Sequence, residues 1–242
     1  METLKEKVFS RLTDDFKVLA TIVTRQHTHV RKMLEENTDA ALYAEINDNE
    51  RIIDSLEVKI RNEVINTIVL YSPRATNLRM IISYYDMTAY LERIGDLLLN
   101  IARYLLKADI RGELFGKYKP NLVKMLELTG NMTQNAIFAF NYEDIQLAKD
   151  TIELDNEADR MYHTLDAALL NNCTGKALTE QEMSDVLSLN SMSYNIERIG
   201  DNATNIAEAA IFLIEGKNIK HRDQEPGEIL RAGSEGGYEC PD

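Results

Sequence analysis

The chain has 242 residues, 44% of them hydrophobic, with 40 acidic against 27 basic side chains and a formal net charge of −13. That surplus of negative charge argues against a non-specific nucleic-acid or anionic-membrane surface, because both partners are themselves negative. Four prolines and 11 glycines favour long helices over a turn-rich β fold, and the two cysteines, Cys173 and Cys240, form neither a disulfide framework nor a C-x-x-C pair.

Met1 is followed by charged residues rather than an apolar leader, and no apolar run approaches the roughly 18 residues a membrane span needs. The expectation is a soluble, cytoplasmic protein in a reducing compartment. The first predicted helix runs over residues 4–36 and is broken at Asn37-Thr38. The second covers 39–71. Ser72-Pro73 then reads as an N-cap followed by proline at the first helical position, opening a third helix to about Ala108. Residues 109–120, with Gly112, Gly116 and Pro120, read as a linker. A fourth helix is expected over 121–140 and a fifth over 143–171. Thr179-x-x-Glu182 is a capping box for a sixth, which Gly216 ends near residue 215. Residues 217–242 lack an apolar period and read as a flexible acidic, Gly-rich tail.

The chain repeats itself. Leu91–Asp96 reads L-E-R-I-G-D and Ile196–Asp201 reads I-E-R-I-G-D, an offset of 105 residues. The same offset carries Asn100 onto Asn205, Ile101 onto Ile206, Glu50 onto Asp155, Asp54 onto Asp159 and Asp39 onto Asp144. Matches at one offset over some sixty residues mark a duplicated unit. The expected fold is therefore all-α: six long helices in two tandem, pseudo-symmetric three-helix bundles, one over 1–111 and one over 112–217, followed by the tail.

Paired acids recur at helical spacing. Positions four apart share a helix face, and on the third helix Leu78, Ile82, Tyr85 and Ala89 run on into Glu92, Asp96 and Asn100. On the sixth, Met183, Val186, Leu187 and Tyr194 lead to Glu197, Asp201 and Asn205. Glu50 and Asp54 lie on the second helix and Asp155 and Asp159 on the fifth. Counted from Pro73, Glu50 and Asp96 are equally distant, as are Asp54 and Glu92, so an antiparallel hairpin sets the pairs side by side. Asp155 pairs in height with Asp201 and Asp159 with Glu197.

Four carboxylates gathered on facing seams must be neutralised, because desolvation costs several kcal/mol per ion and repulsion adds to it. Arg93 and Arg198 point to one side and help only in part. Multivalent cations with all-oxygen ligand sets answer the problem. The predicted metal ligands are Glu50, Asp54, Glu92, Asp96 and Asn100 in the first unit, and Asp155, Asp159, Glu197, Asp201 and Asn205 in the second.

Other residues carry less. His27 and His29 diverge on their helix; His27 falls near the height of the first cluster, but position 132 of the second unit is Met. Glu57 extends the first acid stripe, whereas its counterpart is Tyr162. Gly95 and Gly200 inside helices suggest close helix approach beside the acids. No glycine-rich phosphate loop, Ser-His-Asp set or nucleophilic cysteine setting appears, and no catalytic residue is assigned.

The repeated E-R-I-G-D at Glu92–Asp96 and Glu197–Asp201, with the S-P-R-A-T-N-L-R run at Ser72–Arg79, resembles the signature of the PhoU family over about residues 5–217. The resemblance implies two three-helix bundles with multinuclear clusters of iron or zinc held by the E/D-x-x-x-D motifs. It also implies a non-enzymatic role: a repressor of phosphate-starvation signalling that modulates high-affinity phosphate uptake. The implied partners are the phosphate ABC transporter and its sensor histidine kinase, reached as a homodimer without nucleic acid. The chain departs from its own symmetry at Leu97-Leu98-Leu99, against Asn202-Ala203-Thr204, which suggests a neighbour against the first unit. It departs again at the second hairpin, which lacks a Pro-x-x-x-x-Leu-Arg equivalent. Two alternatives stay open: a PhoU-like cytoplasmic domain of a sodium–phosphate cotransporter, and a carboxylate di-metal enzyme. The ferritin-like form of the latter is disfavoured, because no Glu precedes a histidine by three.

Overall fold

The structure, a computed structural model, describes residues 4–36, 40–175 and 177–216, with side chains from Phe9 onward. The Asn37-Thr38 break, the start of the second helix at Asp39 and the tail at 217–242, with His221 and Cys240, lie outside the described residues. The described chain is six α-helices without a strand: α1 (Leu4–Glu36), α2 (Ala40–Tyr71), α3 (Thr76–Lys107), α4 (Glu113–Tyr142), α5 (Ile145–Cys173) and α6 (Glu180–Glu215). None is long and apolar enough to cross a membrane.

Helices α1, α2 and α3 pack on one another, and so do α4, α5 and α6. This is the predicted pair of three-helix bundles. The bundles are not insulated from each other, since α3 packs on α6 and α1 on α4. One apolar core therefore runs through both. Each of its larger side chains, fully withdrawn from water, contributes about 1.5–3 kcal/mol before entropy is counted.

On α1 the seam is Leu12, Phe16, Leu19, Val23, Val30 and Met33, at helical steps of three, four and seven. At the junction of the bundles Phe16, Tyr84 and Phe140 form an aromatic trio, with centroids 5.0 Å (Phe16–Tyr84), 5.6 Å (Phe16–Phe140) and 5.1 Å (Tyr84–Phe140) apart. The Tyr84 hydroxyl meets Thr13 Oγ1 at 3.2 Å. The sequence suggested a neighbour against Leu97, Leu98 and Leu99; all three are buried within the chain itself, on a helix flanked by α1, α2 and α6.

Helix ends follow local chemistry in the second unit more than in the first. Thr179 and Glu182 form the expected capping box, and Gly216 closes α6 in the left-handed conformation at φ 70°. Asp144 caps α5 by accepting from Leu147 N at 3.0 Å, while Glu143, expected inside that helix, is the left-handed C-cap of α4. Ser72-Pro73 does not open α3. Ser72 (φ 44°) ends α2 by donating its N–H to the Ile68 carbonyl, and Ala75 (φ 50°) precedes Thr76 without a side-chain cap. The two hairpin turns are thus built differently, as the missing Pro-x-x-x-x-Leu-Arg equivalent suggests.

The linker is shorter than expected, because α4 starts at Glu113 and carries Pro120 inside it. A proline there forfeits one helical hydrogen bond and crowds the carbonyl four residues back. That carbonyl belongs to Gly116, an exposed residue, so water can supply the partner that Pro120 does not. Tertiary anchors hold the first turns regardless: Phe115 is fully buried, the Tyr118 hydroxyl donates to the Ala168 carbonyl at 3.0 Å, and Lys119 Nζ donates to the Glu35 carbonyl at 2.8 Å. The remaining linker is tied to α6 through Asp185, which accepts from Asp109 N at 3.0 Å.

Candidate metal centres

The α2–α3 hairpin presents the first acid cluster. Glu50 is 6% exposed, Glu92 and Asp96 are half-buried, and Asp54 is exposed. They are close enough for their charges to act on one another. Burial raises the Glu50 carboxyl to about 7 against a hydrogen bond from Gln26, and the charges of Asp96, Asp54 and Glu92 add to the rise. Burial, then Asp96, Glu57 and Asp54, raises Glu92 as well. Glu57 therefore joins the cluster's field, although its carboxylate is engaged by Arg61 at 2.6 Å. Arg93 stands 3.9 Å from Asp96 in an exposed pair, too far and too wet to neutralise the group.

The second cluster is tighter. Asp155, Asp159 and Asp201 each offer an oxygen within 4.8 Å of the others, and among the described residues no other set of three acids, histidines or cysteines closes so far. Burial and the charges of Asp201 and Asp159 raise Asp155 to about 6. Burial and Asp201 raise Glu197 to about 7 against the opposing charge of Arg198. Arg198 engages more directly than its direction on the helix suggested: it donates to Asp201 Oδ2 at 2.8 Å, lies 3.7 Å from Glu197 and stacks over Tyr194. The long flexible side chain curls back along its own helix.

The acids do not continue the apolar seams. Leu78, Met183, Leu187 and Tyr194 are exposed, and Ile82, Tyr85 and Ala89 are half-buried. The buried seam of α3 is Ile81, Tyr84, Thr88, Leu91, Gly95, Leu98 and Ala102, one step round the helix. Because α3 and α6 each pack against three other helices, their core sector rotates toward the molecular centre. The carboxylates then line the rim between α2 and α3, and between α5 and α6. Of the two amides, Asn100 Oδ1 accepts from Arg103 at 3.0 Å, whereas Asn205 spends its N–H on the Asp201 carbonyl at 2.8 Å and keeps its side-chain oxygen free of that bond.

Three carboxyl oxygens at these rims, Glu50 Oε1, Asp155 Oδ1 and Glu197 Oε2, are buried without a hydrogen-bond partner. Glu197 Oε2 has Arg198 Nε at 3.7 Å, but a buried acceptor without a hydrogen bond is costly, and an all-oxygen donor set of this kind fits a hard or borderline cation. The residues present therefore fit a metal centre in each repeat.

His27 has a different setting. It lies against Gly130 of α4, where a Cβ would come within 2.5 Å of its ring, and burial with the charge of Arg31 lowers it to about 4. It is a neutral packing residue between the bundles. Sequence reasoning passed over Gln26, fully buried, which donates from Nε2 to Glu50 Oε2 at 3.0 Å and to the Gly95 carbonyl at 2.9 Å. Its signal was legible as a polar interruption between Val23 and Val30 in the α1 seam.

The two glycines are not equivalent. A Cβ at Gly95 would meet Ile53 Cδ1 at 3.0 Å and Glu50 Oε2 at 3.1 Å, but at Gly200 nothing lies closer than 3.5 Å. Gly95→Ala is expected to overpack, costing about 1–3 kcal/mol against a helix gain of about 1 kcal/mol. Gly200→Ala is expected to keep that gain. Urea melts of the two variants should shift in opposite directions, and equal shifts would contradict the close approach at Gly95.

A duplicated three-helix unit with an acidic rim in each copy defines a class of tandem helical-bundle proteins. The sequence model of the PhoU domain matches the chain twice, over residues 16–105 and 122–210, and the chain belongs to the PhoU family. It is 35% identical over 207 residues to the phosphate-specific transport system accessory protein PhoU homolog of Aquifex aeolicus, covering 82% of this chain and 91% of that one. It is 30% identical over 199 residues to the homolog so named in Zymomonas mobilis, covering 82% and 81%. The crystal structure of PhoU from Pseudomonas aeruginosa is similar with a TM-score of 0.74 at 26% identity, over 87% of this chain and 99% of that one. A phosphate transport system regulatory protein, PhoU from Streptococcus pneumoniae, shares the fold at a TM-score of 0.77 and 20% identity, over 87% and 96%.

Proposed function

We propose that this chain is a cytoplasmic accessory protein of phosphate transport that holds phosphate-starvation signalling off when phosphate is plentiful. It acts as an adaptor between the phosphate ABC transporter and the sensor histidine kinase, as a homodimer, and catalyses no phosphoryl transfer. Family membership and the names of its relatives support the phosphate-transport setting. The single observation that carries the metal part is the pair of acid rims in which Glu50 Oε1 and Asp155 Oδ1 are buried without a hydrogen-bond partner.

Glu50, Asp54, Glu92 and Asp96, with Asn100 one turn beyond Asp96 if it is released from Arg103, would hold one cluster; Asp155, Asp159, Glu197 and Asp201, with Asn205, would hold the other. Iron or zinc bound there would neutralise the carboxylates and cross-link two helices per repeat. The chain's own residues then keep the outer helix faces in one arrangement for docking. Candidate docking surface includes the outer side of α2, where Val58, Ile65 and Val69 are exposed. The metals act as structural pins in this reading, because four carboxylates per repeat leave little positive field for an anion.

Two measurements test it. Protein purified without chelators or a nickel column is expected to carry iron or zinc, and Glu92→Ala with Asp96→Ala to remove the first repeat's share alone. Unchanged stoichiometry would refute the assignment. Deleting the gene is expected to raise phosphate uptake and starvation-gene output in rich phosphate. Normal repression in a strain with no second copy would remove the regulatory part.

A further inference from the structure

The two repeats look interchangeable in their acid motifs, yet the helix behind each cluster differs. Helices α1 and α4 end at Glu36 and Tyr142, and the two family matches begin at 16 and 122. Both place these helices at an offset of 106, one more than for the hairpins, because the first connection is a residue longer than the second. The counterpart of Met132 is therefore Gln26, not His27, and the counterpart of His27 is Thr133. Met132 is fully buried against Ala158 and Ala203, the residues at the hairpin positions of Ile53 and Leu98.

Gln26 does what a thioether cannot. Its Nε2 donates twice, to Glu50 Oε2 at 3.0 Å and to the Gly95 carbonyl at 2.9 Å. The absent side chain at Gly95 leaves room for this, since a Cβ there would lie 3.1 Å from the same Glu50 oxygen. One Glu50 oxygen is thus tied to α1 and α3 together, while Oε1 is left buried and unpartnered in a residue only 6% exposed. In the second repeat Asp155 Oδ1 also lacks a hydrogen bond of good geometry; the Thr204 hydroxyl of α6 acts on that carboxyl, but the fourth helix offers a methionine in place of the amide that ties Glu50 to two helices.

We infer that Gln26 is a positioning residue for the first metal centre, fixing Glu50 as a one-oxygen ligand, so that the two centres bind metal with unequal affinity, the first repeat tighter. This rests on the metal reading above. An outer-shell hydrogen bond to a ligating carboxylate fixes its orientation, and its loss typically weakens metal binding by about 10–100-fold. Gln26→Met installs the second repeat's own residue at nearly the same volume, so the core remains filled. Met132→Gln is the reciprocal change.

The test is calorimetric titration of the chelator-stripped full chain with Zn²⁺ alone. Wild type is expected to show two sets of sites, the tighter abolished by Glu92→Ala with Asp96→Ala. Gln26→Met is expected to weaken the tighter set by at least about 10-fold and to leave the weaker set unchanged. The unchanged set is the internal control that a general folding defect would not spare. In the Glu92→Ala, Asp96→Ala background, Gln26→Met should have no further effect. Should Gln26→Met fail to fold, Met132→Gln carries the question: it is expected to narrow the gap between the sets. Two equal sets in wild type, or a tighter set indifferent to both changes, would overturn the role of Gln26 and leave the metal reading standing. No binding of Zn²⁺ to wild type would overturn both.

Discussion

Phe16→Ala is expected to destabilise the whole chain by about 3–5 kcal/mol, the range for removing a fully buried aromatic side chain. Phe16 is 0% exposed and its ring contacts both Tyr84 and Phe140. Those neighbours belong to α3 and α4, so the cavity would open where the bundles meet and not inside one of them. Edge-to-face partners add about 0.5–1.5 kcal/mol beyond area alone. The loss should appear as a lower urea midpoint in a single transition, because α3 with α6 and α1 with α4 make one continuous core. A change below about 1 kcal/mol would mean that the trio does not couple the repeats.

The second large effect is on pH. Metal-free protein is expected to lose stability as pH rises from about 4.5 to 7. Burial and mutual repulsion raise Glu50 and Glu197 to about 7 and Asp155 to about 6 from ordinary values of 4.5, 4.5 and 3.8. The folded state therefore binds more protons than the unfolded chain across that window, and stability falls as they are released. His27 works the other way: lowered from 6.5 to about 4, it contributes stability that is lost as pH falls through that range. Three carboxyls outweigh one imidazole.

A tenfold change in a group's proton affinity on folding is worth about 1.4 kcal/mol. Allowing for solvent screening of the partly exposed Asp155 and Glu197, the net change is about 3 kcal/mol. For a chain of this size that corresponds to roughly 6–12 °C in melting temperature. Saturating Zn²⁺ should reverse the slope, because the metal takes the deprotonated carboxylates. Melts from pH 5 to 8, with chelator and with Zn²⁺, give the two curves. A metal-free curve that rises with pH would show that the acids are not gathered as described.

Much of this was determined by the sequence alone. Helix periodicity, the offset of 105 and the matched acid spacings define six helices, two units and the gathering of Asp155, Asp159 and Asp201, because these follow from geometry local to one hairpin. Capping at Thr179 and Gly216 is equally local. Only the tertiary structure decided the rest. Packing of α3 and α6 against three helices each turned the core seam one step and left the carboxylates on the rim. Anchors at Phe115, Tyr118 and Lys119 carried α4 through Pro120. The join of the repeats at Phe16, Tyr84 and Phe140, and the reach of Gln26 from α1 to Glu50, bring together residues distant in the chain. Periodicity within one helix says which residues face inward, but which helix they meet there is set by how all six share a core.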